Sequence, residues 1–234
     1  MRGIIQIFGI FVIAIKCLAE SDRAGLNWWS LREITRPLVP ETGKVEKSSP
    51  IDAFIRSTLK EHELNPAPPA ESTHLIRRLY FDLTGIPPAY KEVQDFVNSS
   101  NGNAYPELVE RLLSSPRFGE RWARHWLDIV RFAESAGFEH DEDRPHAFHY
   151  RDFVIRALNA DMPFDQFSQW QVAGDELAPD NPLALMATGF LGAGVLPTQL
   201  TEREFERARY DELDDMVATL GTSMLGLTVG CARC

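Results

Sequence analysis

The sequence predicts a mainly α protein, an irregular multi-helix domain with long loops that contain proline and glycine. Three observations carry this expectation. Apolar residues recur at intervals of three and four along most of the chain, the period of a helix with one buried face. No long alternating run of β-branched residues marks a strand. Proline and glycine gather between the periodic stretches, where helices stop. With 44% apolar residues, the 234-residue chain has ample material for a core and length for one or two domains.

The first element is a leader. Arg2 precedes an apolar run from Ile4 to Ile15, and Cys17-Leu18-Ala19 presents small residues to a signal peptidase. That run is shorter than the about 20 residues of a membrane span. Lys16 stands where a lipoprotein signal would place a small residue. The expectation is an exported protein, periplasmic or extracellular, with no transmembrane domain after cleavage. The leader takes residues 1–19, an extended N-terminal segment 20–47, and a helical domain 48–234. Cleavage removes Arg2 and Lys16, which leaves 22 basic against 34 acidic residues and a net charge near −12. Such a surface repels phosphate backbones, so nucleic acid is not an expected partner.

Ser48-Ser49-Pro50 opens the first helix with a hydroxyl cap and a proline in the first turn. Ile51, Phe54, Ile55 and Leu59 share a face, and the prolines after Asn65 end it near Leu64. A second helix runs from about Ser72 to Gly85. Tyr90, Val93, Phe96 and Val97 mark a third, and Leu108, Val109, Leu112 and Leu113 a fourth. Proline-rich joints set 48–98 apart as a candidate subdomain. The fifth helix, Phe118 to Glu134, is the most aromatic, with Trp122, Trp126, Ile129 and Val130 as its stripe and Arg124 spaced to pair with Asp128. A polar loop runs from Ser135 to Phe148, then come helices over Tyr150–Asn159 and Phe164–Ala173. Pro179 to Pro197 is irregular apart from a short apolar piece at Leu183–Met186. The last helix starts near Glu204, with Phe205, Leu213, Met216, Val217 and Leu220 turned inward.

Several groups bear chemistry. Glu139, His140, Asp141, Glu142, Asp143, His146 and His149 crowd one loop and match the donor types of a divalent ion, but their spacing fits no ligand template, and a solvated loop is the preferred reading. His125 and Asp128 are spaced for an oriented general base. With no nucleophile nearby, a structural role is preferred. Asp161 reads as a helix cap, Asp165 lies in a similar setting, and Asp175 with Glu176 reads as a turn. Arg144-Pro145, Tyr150-Arg151-Asp152 and Arg209-Tyr210 pair guanidinium with aromatic rings. They are read as ties between loops and core, with an anionic or sugar ligand as the alternative.

The C-terminal pair Cys231 and Cys234 is the sharpest signal. A thioredoxin-type motif is disfavoured because no βαβ pattern surrounds it. A strained local disulfide, half of a zinc site and the start of a c-type haem motif all stay open. The haem motif requires a histidine directly after the second cysteine.

The strings RRLYFDLTGIPP, SSPRFGERWARHWLDIVRFAES, YRDFVIRALNADMPFDQF and LGLTVGCARC resemble the Planctomycete-type cytochrome-c-associated domain, a family long filed as a domain of unknown function. The resemblance covers about Trp28 to Cys234. It implies that histidine, aspartate and a second histidine follow the CARC element, so that the sequence stops inside its CxxCH motif. It also implies that larger members carry a second domain downstream and some a cytochrome c domain upstream. On that basis the chain is expected to be a c-type haem and electron-transfer module, with Cys231 and Cys234 binding haem c, Met224 a conceivable distal ligand, and a redox partner. The alternatives are an exported enzyme using a divalent metal on polysaccharide, and a non-catalytic scaffold.

Overall fold

The computed structural model describes residues 28, 31–41, 49–99, 101–137, 141–197 and 200–233. The leader and most of the extended segment lie outside these residues. Where that segment is described, residues 33–41 form neither helix nor strand. The chain divides into two compact units between Pro68 and Pro69.

In the first unit, α1 spans Pro50–Glu61. Its start is the expected one. The Asp52 N–H donates to Ser49 Oγ and the Ser49 N–H donates to the Asp52 carboxylate, both at 3.2 Å, so two otherwise orphaned donors are satisfied. Ala53 is buried, whereas Ile51, Phe54 and Ile55 are exposed.

The second unit begins with α2 (Ser72–Thr84), α3 (Tyr90–Val97) and α4 (Ala104–Leu113), packed around Ile76, Tyr80, Leu108 and Leu112. Gly85 stops α2 as expected, at φ 73, with its N–H shared between the carbonyls of Tyr80 and Phe81. Glu92 on α3 joins all three helices. It accepts from the Tyr80 hydroxyl and from Arg111 at 3.1 Å. These bonds, led by the one from Tyr80, hold its carboxyl below the usual carboxylate range.

The larger core lies among α5 (Pro116–Ile129), α6 (Phe148–Asn159), α7 (Phe164–Leu177) and α8 (Pro182–Ala187), with Val130, Phe153, Val154, Phe167 and Phe190 at its centre. The helix expected to reach Glu134 stops at Ile129. Arg131 takes the left-handed conformation at φ 57, the Phe132 N–H returns to the Leu127 carbonyl at 2.9 Å, and the Arg131 N–H returns to Asp128 at 3.1 Å. That is a Schellman ending with arginine where glycine is usual. The inward face of α5 also differs from the expected one: Gly119, Ala123, Trp126, Leu127 and Val130 turn to the core, while Trp122 and Ile129 are exposed.

Small residues let α5 reach α6. A Cβ on Gly119 would stand 2.5 Å from the Ile155 carbonyl oxygen, so no side chain fits there. Asn159 bridges the gap, accepting from the Gly119 N–H at 2.8 Å and donating to the Pro116 carbonyl at 3.0 Å. Asp161 does act at a helix end, but at the close of α6 (φ 48) rather than at the opening of α7. α7 continues past the expected stop at Ala173, which is kinked at φ −148 and ψ 37. Asp175 and Glu176 thus lie on helix rather than in a turn.

Last comes α9 (Glu202–Leu220), followed by a π turn (Gly221–Leu225) and a 3-10 turn (Val229–Arg233). The expected inward face of α9 is largely outward: Phe205, Leu213 and Val217 are exposed, and burial falls on Thr219 with partial cover of Met216 and Leu220. The described residues contain no strand, only an isolated antiparallel bridge between Ser135 and Asp143. No helix among them is long and apolar enough to cross a membrane.

Candidate functional site

Cys231 lies on the 3-10 turn that follows α9, with its thiol free and exposed. Its N–H donates to the Thr228 carbonyl at 3.1 Å. Cys234 lies outside the described residues. The turn is tied back to α9 by Arg233, whose guanidinium meets Asp211 at 2.5 Å and Asp214 at 3.2 Å. The hydrogen bond from Arg233 lowers the Asp211 carboxyl pKa. Gly230 passes close to Ala218, and Gly221 leaves room for Val229, so backbone contact also seats the turn. Met224 is partly buried. It packs against the large core, where a thioether fills space.

The acidic and histidine-rich loop is folded on itself. Glu139 and His140 lie outside the described residues. Asp141 accepts from the Gly137 N–H at 2.8 Å, and a bond from Ser135 leads the lowering of its carboxyl pKa. The Ala136 N–H donates to the Glu142 carbonyl at 2.8 Å. Arg144 donates to the carbonyls of Gly192 and Gly194 at 3.1 and 2.8 Å, so its guanidinium ties two loops together. Arg151 pairs with Glu134 and Asp152. Arg209 and Tyr210 sit on the exposed side of α9. Among the described residues, no group of three histidine, cysteine or acidic side chains is arranged to hold a metal ion.

A cleft of about 460 Å³ opens beside this loop, between Arg144, His146 and His149 on one side and Met186 and Gly189 on the other. The rings of His146 and His149 lie nearly parallel, 6.2 Å apart. Tyr150 lines the cleft and belongs to a buried polar trio that sequence reasoning missed. Gln171, fully buried, accepts from Tyr150 at 2.6 Å and from the Trp126 indole at 2.8 Å, and it donates to the Phe167 carbonyl at 2.9 Å. Burial raises the Tyr150 pKa strongly, so the phenol is neutral and donates. The signal for this trio was a glutamine within an aromatic helix, FDQFSQWQ, whose polar group had to find partners once buried.

On α5, the expected Arg124–Asp128 pair does not form an ion pair, and His125 and Asp128 share no hydrogen bond. His125 stands edge-on to Trp122 at 5.5 Å instead. The pair therefore lacks the geometry of an oriented base.

The sequence model of the PSCyt2 family, described as a protein of unknown function (DUF1549), matches residues 50–234. The chain belongs to the PSCyt2 family. No curated protein and no solved structure matches it. The PSCyt2 match takes in α1 through the cysteine turn, so the second unit, the end of the first and Cys231 fall inside the family's span.

Proposed function

We propose that this PSCyt2 protein is an exported carrier of a c-type haem, attached through Cys231 and Cys234 and used for electron transfer. The single observation that supports this reading is the setting of Cys231, an exposed thiol on a short turn tethered to α9 by Arg233. Covalent attachment adds each S–H across a vinyl C=C of the macrocycle to give a thioether, so the thiols must be reachable from outside. A thiol in the core would not meet that demand. The donor set fits the group in part. Two sulfurs at this spacing are the anchors of a c-type site, and the resemblance implies an imidazole ligand directly after Cys234. Met224, partly buried against the large core, would hold the group only by leaving that packing. When bound, the haem would supply reversible one-electron chemistry, and the chain's own contribution is to present the thiols on a seated turn.

The test is expression of the full reading frame with export and a cytochrome maturation system. The expected result is a Soret band and haem staining that survives denaturation, both lost in Cys231→Ser. Protein that carries a stoichiometric divalent ion and no haem would favour the metal-dependent enzyme acting on polysaccharide. Protein with neither would leave the helical scaffold.

A further inference from the structure

The outer face of α5 carries two arginines, Arg121 and Arg124, that form no ion pair among the described residues. Arg121, Arg124, His125 and Arg131 line an open cleft of about 550 Å³ whose floor is Leu127 and Phe132. Arg121, Arg124 and His125 are spaced at i, i+3 and i+4, so the two guanidinium charges lie on one face and repel. Asp128 is the one carboxylate among the lining residues, and it forms no ion pair with Arg124. Arg131 is itself paired with Asp215 of α9.

Arg121 is the most telling member. Its chain lies over Gly85, where a Cβ would stand 2.9 Å from the arginine Cδ, and this seats the guanidinium at the cleft wall. Its Nε is buried without a hydrogen-bond partner among the described residues. A buried donor without an acceptor is costly, and in native proteins it generally marks a place for one. Arg124 also has no partner among the described residues, and it is exposed. The chain as a whole has a net charge of −10, so two unpaired arginines one turn apart on a helix face run against its general balance.

We infer that this cleft binds a multiply charged tetrahedral oxyanion, a phosphate or sulfate group. Guanidinium forks match such oxygens in pairs, and Arg121 and Arg124, one turn apart on α5, can approach a tetrahedral ion together. Bound there, the oxyanion would screen Arg121 from Arg124. The site is independent of the haem reading, since no lining residue belongs to the cysteine turn.

Titration calorimetry of the full chain with inorganic phosphate and with inorganic sulfate, each against sodium chloride at matched ionic strength, tests this. The expected result is saturable binding of both oxyanions and none of chloride. Arg124→Gln, at an exposed residue whose loss leaves the fold intact, weakens binding about tenfold or more, the scale of one charge-assisted contact. Arg124→Lys gives a smaller loss, because charge remains while the fork is gone. Arg203→Gln, about 18 Å from Asp215 along α9, leaves binding unchanged. Equal heats for chloride and oxyanions, or an Arg124→Gln protein that binds phosphate like the parent, would overturn the inference.

Discussion

Apolar residues recur at helical spacing in both the α5–α6 pair and helix α9, yet the first is buried and the second is half bare. What separates them is the distribution of small residues. Gly119 and Ala123 bring α5 against α6 at backbone distance, and Gly174 does the same for α7 against Ala184, where a Cβ would stand 2.2 Å from the carbonyl oxygen. α9 has no glycine before its end, and Phe205 and Val217 remain more than 60% exposed. Apolar spacing makes a helix capable of burial, but contact at this range also needs a place for the neighbouring backbone.

Three substitutions break or sharpen that comparison. Gly119→Ala has the largest effect, because its Cβ would meet the Ile155 carbonyl and the Asn159 side chain at once. A loss of about 3 kcal/mol is expected, read as a fall in the denaturant midpoint. A loss below about 1 kcal/mol would show that the two helices slide apart without penalty. Gln171→Leu comes next. It deprives the buried Tyr150 hydroxyl and Trp126 indole of their shared acceptor and should cost about 2 kcal/mol. The same variant should shift Trp126 fluorescence, and an unchanged spectrum with unchanged stability would remove the trio from the core's specification. Phe205→Ser on α9 has the smallest effect, within about 0.5 kcal/mol, as for other exposed positions. A loss above 2 kcal/mol in thermal unfolding would mean that this face is covered in solution.

The elements that sequence reasoning reads well are those with local punctuation. Ser49-Pro50 opens α1 and Gly85 ends α2 where expected, because caps and glycine act through neighbours in the chain. The stop of α5 was hidden because a charged residue, Arg131, holds the left-handed position, and no local preference announces that. The inward faces of α5 and α9 were misread for another reason. Trp122 and Phe205 are strongly apolar, but which side of a helix is covered depends on what packs there. At the candidate site, the position of Cys231 near the chain's end could be read directly. The fate of Arg144, engaged by two carbonyls about 50 residues away, could not. The cation face of α5 was visible as i, i+3 and i+4 spacing, but an i, i+4 pair with Asp128 was the simpler use of it.

Arg131 performs two tasks that most proteins assign to different residues. Its backbone turns the chain out of α5, at a conformational cost of about 1 kcal/mol relative to glycine. Its side chain reaches Asp215 on α9, and Gly194 passes close to that junction, where a Cβ would stand 2.3 Å from the Asp215 carboxylate. Relaxing the bend with a glycine would therefore also sever the link to α9. The punctuation of one helix and the mooring of another are written in the same codon, so neither can drift without the other.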